Sequence, residues 1–439
     1  MPSERIWPIL RLLAPGVHLS GMPSLQEAAL QELALEKKEA APISSASLRP
    51  HSRVIAIFLC GAFAFLDLYC TQPLLPLLSR IFRATETSVS STVSASTLGV
   101  AISAALLAVF GERMDRKRTI IGSMIGLAVV TTLTATAPSL RVLAEWRFMQ
   151  GLLTPGIFIT TIAYITEEWP ARLVPRVMSL YVAGTVFGGF VGRVSGGLLA
   201  ERFDWRVMFV ILGGAGLIGA YVTSRLLVPA SSRSMRHVAQ SRLAPMMRNL
   251  CDVRLLSTFG LGFCMLFTLV SLFSYITFLL ASAPFYLSTP KLSWLFAVYL
   301  FGLFATLAVG TVLARIGLLH GLMGAIGLCL AGVALTLRPS LIAVGIGLSL
   351  ASSGVFISQT CANSFLRDAA PLGSRVSAAG MYICSYYIGG TVGGILPGLL
   401  WKHAGWPGCV ALICSFLAIA ASLAYFGWRK KPAIDPIPL

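Results

Sequence analysis

The chain has 439 residues, of which 56% are hydrophobic and 12% are charged. Soluble proteins carry about 25% charged residues, so this composition excludes a soluble globular protein and indicates a membrane protein. The formal net charge is +17. The basic residues are spread over many short loops and form no single patch, so we expect no nucleic-acid partner.

The segment before the first apolar stretch is polar. Ser24 and Glu27 match a capping box, which predicts a short amphipathic helix. Its acidic residues favour a helix in solution over one that lies on the membrane surface. We assign residues 1–52 to a cytoplasmic N-terminal extension without a function, and Met22 is an alternative start to Met1.

Twelve apolar segments follow, and each is long enough to cross the core of a bilayer, which needs about 20 helical residues. They lie near residues 54–78, 89–110, 119–137, 142–165, 176–199, 206–228, 255–283, 292–314, 318–337, 340–364, 376–400 and 407–427. Backbone groups in lipid must hydrogen-bond within their own segment. The predicted fold class is therefore an all-α membrane protein with twelve transmembrane helices.

The distribution of Lys and Arg indicates the orientation. With an even number of spans both termini lie on one side, and that side carries 24 of the 34 basic residues, against 8 on the other side and 2 inside spans. Basic residues accumulate on the cytoplasmic side. We therefore expect a multi-pass protein of the inner cell membrane with both termini in the cytoplasm.

The two halves of the chain repeat each other at an offset of 201 residues. Gly188 recurs as Gly389, Gly189 as Gly390, Gly192 as Gly393, Gly197 as Gly398 and Trp205 as Trp406. A repeat of this length is typical of membrane transporters whose substrate site lies between two halves. It predicts pseudo-symmetric six-helix bundles at 53–228 and 254–428, with a cytoplasmic linker at 229–253 and a cytoplasmic tail at 429–439.

One acidic side chain, Asp67, lies deep in a predicted span, and Arg147 and Arg193 are its available partners in the same half. A charge at that depth costs about 2.5–3.5 kcal/mol and usually faces a cavity or a partner. Desolvation favours a neutral carboxyl group, whereas a nearby arginine favours a charged one. An aspartate that alternates between these settings binds and releases a proton. The alternative is a static ion pair that stabilises helix packing.

The loop between spans two and three resembles a signature of the major facilitator superfamily. The segment Gly111-Glu-Arg-Met-Asp115-Arg116 has the glycine, the aspartate four residues later and the basic residues of that signature, but lacks its second glycine. The resemblance implies that Gly111, Asp115 and Arg116 form a conformational latch. An ordinary charged loop is the alternative.

The segment Arg147-Phe-Met-Gln150-Gly151 on span four resembles a second pattern of the same superfamily. In proton-coupled members this pattern is associated with proton transfer, which implies a role for Arg147 beside Asp67. Two alternatives are that Arg147 extends to the lipid headgroups or pairs with Glu145 at the surface.

Span five carries the most specific resemblance. Its glycines Gly184, Gly188, Gly189 and Gly192, with Arg193, resemble the fifth-helix motif of drug/proton antiporters, and Gly389, Gly390 and Gly393 repeat part of it. Small residues spaced by four allow helices to pack closely, and such packing without a mechanistic role is the alternative. The resemblance covers 53–428 and points to the YnfM-like branch of inner-membrane efflux proteins.

The resemblance also implies that spans one, four, seven and ten line a substrate cavity. The candidate lining residues, including one on span eleven, are Tyr69, Gln150, Thr154, Phe267, Tyr275, Gln359, Asn363 and Tyr386. Aromatic walls with a few amides suit amphipathic organic molecules, and the few cations argue against strongly anionic substrates. Packing against lipid or other helices is the alternative for at least half of them.

Other chemistries find no support in the sequence. The nine cysteines form no C-x-x-C pair, and no P-loop pattern occurs. We therefore expect that the protein binds no metal and no cofactor and that it is not an enzyme. We predict a monomeric secondary transporter in the lipid bilayer that exports small organic compounds, driven by protons, through alternating access of its two halves. Uptake by symport, uncoupled facilitation and a non-transporting receptor or scaffold are the alternatives.

Overall fold

The computed structural model describes residues 50–110, 114–170, 172–229, 243–371 and 374–429. The predicted capping box, Gly111, most of the middle linker and the chain beyond Arg429 lie outside these described residues. Contacts group the described residues from His51 onward into one compact unit, which contains both repeats.

The first half consists, in its described part, of seven α-helices and one 3-10 helix. They are α1 Pro50–Leu66, the 3-10 helix Gln72–Leu74, α2 Leu75–Phe82, α3 Glu86–Phe110, α4 Arg116–Thr134, α5 Leu140–Glu168, α6 Val174–Arg202 and α7 Trp205–Leu226. The side chains of Asp115, Ser139 and Asp204 accept hydrogen bonds from backbone N–H groups at the starts of α4, α5 and α7. These caps explain why the helices begin there, since the first N–H groups of a helix have no partner within it.

The second half consists, again in its described part, of seven further helices. They are α8 Leu243–Cys251, α9 Val253–Ala281, α10 Thr289–Leu295, α11 Val298–Ile316, α12 Leu318–Leu335, α13 Leu341–Ala369 and α14 Arg375–Gly427. Two helices merge in α14, and they meet at Gly405, whose φ of 56° is a left-handed conformation that glycine adopts without a steric penalty.

Eight of the described helices are long and apolar enough to cross a membrane, judged by length and composition. One of these is the 51-residue stretch Ser377–Gly427, which spans about 75 Å at 1.5 Å per residue and can cross twice with its bend at Gly405. The remaining predicted spans correspond to α4, to α1 with α2, and to α10 with α11. Each of the twelve predicted spans therefore has a counterpart in the described part of the chain.

The first and eighth spans are broken, although the hydropathy of the sequence predicts continuous helices. In the first span α1 ends at Leu66, and Pro73 and Pro76 follow the break. Proline has no backbone N–H and its ring clashes with the preceding turn, so the helix cannot continue regularly through this segment. In the eighth span α10 ends at Leu295, and α11 begins three residues later at Val298.

The repeated glycines make the same helix contact in both halves. A Cβ atom at Gly188 of α6 would collide with the backbone oxygen of Ala62 in α1, and one at Gly389 of α14 would collide with that of Phe263 in α9. Ala62 and Phe263 are themselves 201 positions apart, so the repeat in the sequence is a repeat of helix pairing. Gly184, Gly192 and Gly393 meet backbone atoms of Phe58, Leu66 and Phe267 in the same way, whereas Gly189 and Gly390 face mainly side chains.

Between the halves, α3 and α14 pack against each other from Thr87 beside Gly398 to Ala108 beside Gly380. We call the side of the bundle where α3 begins and α6 ends the distal side. There the Ser94 hydroxyl of α3 donates a hydrogen bond to the backbone oxygen of Thr391 in α14 at 2.8 Å. On α6, a Cβ atom at Gly197 would collide with the Ser293 hydroxyl of α10. The distal side is therefore closed by close helix packing across the interface.

Gly188→Ala should lower the free energy of unfolding by about 1–3 kcal/mol, because the new methyl group meets backbone that cannot turn aside. Gly214→Ala on α7 is the matched control, since no atom lies within 4 Å of a Cβ at that position. Thermal unfolding of both variants in detergent, followed by fluorescence-detected size-exclusion chromatography, measures the difference. Equal melting temperatures would contradict the close packing of α1 and α6.

Candidate functional site

The break in the first span places polar groups in the interior of the first half. Residues 67–71 lie between the end of α1 and the 3-10 helix, so the regular hydrogen bonds of the helix are interrupted there. Carbonyl groups freed by such a break need other donors, because neither lipid nor apolar side chains can supply them.

Arg147 of α5 supplies those donors. Its Nη1 atom donates to the backbone oxygen of Asp67 at 2.7 Å, and its Nη2 atom donates to the backbone oxygen of Leu68. The C-terminal end of a helix carries partial negative charge, which stabilises a cation at this position. Arg147 has no exposed surface, and Glu145 pairs with Arg141 instead at 3.2 Å, so the structure shows neither of the two surface arrangements for Arg147.

Asp67 is 3% exposed and lies at the same break. Its Oδ2 atom accepts a hydrogen bond from the Thr131 hydroxyl of α4 at 3.1 Å, and its Oδ1 atom has no hydrogen-bond partner among the described residues. The guanidinium of Arg147 thus binds the backbone of Asp67, while the carboxyl group points towards α4.

A chain of hydrogen bonds connects the arginine to the carboxyl group. Nη1 of Arg147 donates to the amide oxygen of Gln150, whose nitrogen donates to Thr131 at 2.8 Å, and Thr131 donates to Asp67. A change in the charge of Asp67 therefore alters the hydrogen bonds of Thr131 and Gln150. A displacement of Arg147 alters the hydrogen bond to Asp67 through the same two residues. Sequence reasoning missed Thr131, because a threonine inside an apolar span carries no distinguishing pattern.

Arg193 of α6 lies on the other flank of the break and is 4% exposed. Its Nε atom donates to the amide oxygen of Gln72 at 2.9 Å, and its Nη1 atom donates to the backbone oxygen of Gly189 at 2.8 Å. Three aromatic rings surround its guanidinium carbon, with centroids at 4.6 Å for Tyr299, 4.7 Å for Tyr69 and 5.1 Å for Phe296. We call these three rings the Arg193 cage.

The Arg193 cage spans the interface between the halves. Tyr69 comes from the first half, whereas Phe296 and Tyr299 come from the break between α10 and α11 and the first turn of α11. No ion pair joins Arg193 to a carboxylate in the described ranges. Sequence reasoning identified Arg193 but missed its aromatic partners in the second half, since nothing in their spacing indicates a contact of that sequence separation.

Some of the predicted cavity residues meet near this interface. Tyr386 of α14 has the phenol groups of Tyr69, Tyr299 and Tyr382 as electrostatic neighbours, and the Gln359 side chain approaches it. Tyr69 and Tyr386 are buried, and Gln359 is half-buried. These residues form a cluster of phenols with one amide at the interface between the halves.

The other predicted cavity residues lie elsewhere. The hydroxyl of Thr154 bonds to the backbone oxygen of Gln150 within α5 at 2.8 Å, and Asn363 is exposed. Phe267 stacks on a ring of α14, Phe416, at 3.8 Å between centroids. Tyr275 donates to the backbone oxygen of Gly394 at 2.9 Å. In this conformation Phe267 and Tyr275 make packing contacts between α9 and α14.

The predicted latch residues lie at the start of α4, apart from Gly111, which lies outside the described residues. Asp115 caps α4 by accepting from the backbone N–H of Arg118 at 2.8 Å. Arg116 forms a bidentate ion pair with Glu167 at the end of α5. Its Nε atom donates to Oε2 at 3.0 Å and its Nη2 atom donates to Oε1 at 2.8 Å. Sequence reasoning did not connect Glu167 to the latch. Among the described residues no group of His, Cys, Asp and Glu side chains is arranged to hold a metal ion.

Comparison with known proteins identifies the family. Residues 57–394 match the profile described as Major Facilitator Superfamily. The chain belongs to the major facilitator superfamily. It is therefore a multi-pass membrane transporter and not an enzyme, as the sequence predicts.

Relatives share most of the length of the chain. The uncharacterized MFS-type transporter YybF of Bacillus subtilis is 30% identical over 87% of this chain and 94% of its own. The inner membrane transport protein YnfM of Escherichia coli is 30% identical over 83% of this chain and 88% of its own. This similarity confirms the resemblance to the YnfM-like branch.

Solved structures confirm the fold. A bacterial homolog of the human lysosomal transporter Spinster, in an inward-facing and unoccupied conformation, matches with a TM-score of 0.71 at 16% identity over 87% of this chain and 98% of its own. A point mutant of the nucleoside transporter NupG matches with a TM-score of 0.62 at 14% identity over 85% of this chain and 98% of its own.

Arg147→Met should destabilise the protein by about 1–3 kcal/mol, because the backbone oxygens of Asp67 and Leu68 would keep only the long hydrogen bonds from the Cys70 N–H at 3.4 Å and the Ser96 hydroxyl at 3.5 Å. Arg141→Met on the same helix is the matched control, because Arg141 lies in an exposed pair with Glu145 and such pairs contribute little. Melting temperatures of the two variants in the same detergent give the comparison. An Arg147→Met protein as stable as the control would show that the broken end of α1 does not need this arginine.

Proposed function

We propose that this transporter couples proton movement to the export of small organic compounds by alternating access, and that Asp67 carries the proton. The observation that supports the proposal is the Asp67 carboxyl group, which is buried and has one oxygen without a hydrogen-bond partner among the described residues. A carboxylate in such a place is costly unless it is paired, so a proton is the simplest compensation.

Arg147 provides the second setting that a proton carrier needs. An arginine near a carboxyl group favours its charged form, and burial favours its neutral form. Arg147 binds the backbone of Asp67 and is connected to its carboxyl group through Gln150 and Thr131. A small shift of α5 against α1 would therefore change whether the charged or the neutral form of Asp67 is favoured. Rocking of the halves would then alternate proton binding with proton release.

The contacts across the interface fit a rocking mechanism. On the distal side, Arg193 bridges the halves through its cage, and Ser94 bridges them through Thr391. In the proposed cycle these contacts close the distal side while substrate enters from the cytoplasm, and they separate when the distal side opens. We assign the ion pair of Arg116 with Glu167, together with Asp115 and Gly111, to the latch that stabilises one of these states.

The direction of transport and the substrate class rest on two further observations. Export is supported by the resemblance of the α6 glycines to the fifth-helix motif of drug/proton antiporters. The phenols around Tyr386 and the amide of Gln359 suit amphipathic organic molecules. We further propose that the protein acts as a monomer in the inner membrane, with its termini and α8 in the cytoplasm.

Asp67→Asn should abolish substrate-dependent proton flux while leaving the fold intact, because asparagine keeps the shape of the side chain but cannot carry a proton. Proteoliposomes with an imposed pH gradient and an internal pH probe measure the flux for a panel of lipophilic cations, aromatic acids and small sugars. Glu201→Gln is the control, since Glu201 is an exposed acid at the end of α6. Proton flux that persists in Asp67→Asn would make Asp67 a structural residue.

The orientation can be tested with a cysteine that the chain already has. Cys251 is exposed at the end of α8, so a membrane-impermeant maleimide should label it in permeabilised spheroplasts and not in intact ones. Ser288→Cys in a Cys251→Ser background is the counterpart, because Ser288 is exposed on the distal side and should be labelled in intact spheroplasts. The opposite pattern would invert the assigned orientation.

A further inference from the structure

Arg193 carries a charge that no described residue neutralises. The titratable groups that interact with it are the phenols of Tyr69 and Tyr299 and the thiol of Cys70, and none of these is a carboxylic acid. Asp67 directs its carboxyl group to Thr131 on the opposite flank of the break. A buried cation without an anion is costly, so its presence calls for an explanation.

The cage explains how the protein tolerates this cation. An aromatic face attracts a guanidinium through the negative side of its quadrupole, and Arg193 has three such faces besides its hydrogen bonds to Gln72 and Gly189. A guanidinium has five N–H donors and binds a carboxylate through two parallel hydrogen bonds. The ring faces of the cage partly compensate the charge of Arg193, but no carboxylate among the described residues acts as its counter-ion.

Arg193 lies at the interface between the two halves. It lies where α6 of the first half meets the break between α10 and α11 of the second. Gln72, which holds Arg193, also donates to Ser274 of α9 at 3.5 Å, so the second half reaches this site from two helices. In a transporter built of two halves, the substrate binds at such an interface.

The groups beside Arg193 suit an aromatic anion. The rings of Tyr69 and Tyr299 both lie over Arg193, and their phenols interact electrostatically with that of Tyr386. Phenol O–H groups donate hydrogen bonds to carboxylates. Their rings offer flat apolar surfaces to an aromatic body. One cation matches one negative charge, so a substrate with several charges would remain uncompensated.

We propose that Arg193 binds the anionic group of the substrate, and that the transported compounds are aromatic organic monoanions such as aryl carboxylates. This inference rests on the proposed transport function and narrows its substrate class. It refines the expectation from the sequence, in which the scarcity of cations argues against strongly anionic substrates: a single cation without a counter-ion selects for a single negative charge.

Three ligands with the same ring system and different charges test the proposal on the unmodified, full-length protein. 2-Naphthoate, 2-naphthalenemethanol and 2-naphthylmethylamine are titrated in detergent, and ligand-dependent thermal stabilisation gives their apparent affinities. We expect naphthoate to bind about tenfold or more tightly than the alcohol, because it gains charge-assisted hydrogen bonds. Equal or tighter binding of the alcohol or the amine, or no binding of naphthoate, would overturn the proposal.

Variants then assign the charge preference to Arg193. Arg193→Gln should remove the preference for naphthoate over the alcohol. Arg193→Lys should keep part of it, since lysine retains the charge but cannot donate the two parallel hydrogen bonds of a guanidinium. Arg206→Gln is the matched control, because Arg206 also lies over an aromatic ring, 4.4 Å from the Trp205 centroid. A naphthoate preference unchanged in Arg193→Gln would place the anion elsewhere. If Arg193→Gln does not fold, the Arg193→Lys protein and the three-ligand comparison still decide.

Proton flux separates this proposal from the proposed coupling. If naphthoate binds through Arg193 and crosses proteoliposomes without protons, the substrate assignment stands and the coupling through Asp67 fails. If cations or sugars drive proton flux while naphthoate neither binds nor is transported, the coupling stands and the substrate assignment fails.

Discussion

The hydrogen bonds from Arg147 to the backbone oxygens of Asp67 and Leu68 are the interaction on which the centre of the first half depends. A helix that breaks inside a bilayer must have its freed carbonyl groups satisfied by protein. Arg147 does so, and the turn it stabilises carries Asp67 on one flank and leads to Gln72, which holds Arg193, on the other. One proline-induced break thus organises both buried cations and the buried acid.

The two halves share helix pairing but not this chemistry. Thr268, Leu348 and Gly394 occupy the positions that correspond to Asp67, Arg147 and Arg193, and Ser274 and Thr277 stand where Pro73 and Pro76 would recur. Accordingly α9 is an unbroken helix from Val253 to Ala281. The second half therefore keeps the glycine contacts of the repeat and contributes rings and hydroxyls, while every charged group of the site belongs to the first half.

The sequence predicted what depends on local pattern. Apolar length predicted the spans, the 201-residue offset predicted two pseudo-symmetric halves, and a lone acid in a span singled out Asp67. The partners of these residues were not predictable, because Arg147 binds backbone oxygens that any sequence provides, and Arg193 meets rings from a distant part of the chain. Aromatic residues were ambiguous for the same reason: Tyr386 faces the interface and Phe267 packs on Phe416, yet both are apolar rings in apolar helices.

The glycine contacts between α1 and α6 determine how the Arg193 cage would separate when the halves move apart. Because the backbones of these helices meet directly at Gly184, Gly188 and Gly192, the helices have little freedom to slide independently. We therefore expect Tyr69, Gln72 and Arg193 to move as one body. Separation of the halves therefore splits the cage between Tyr69 on one side and two rings on the other. In the proposed cycle, an empty carrier that opened its distal side would lose two of the three ring contacts of Arg193 and expose its guanidinium, so opening would be costly unless substrate occupied the site.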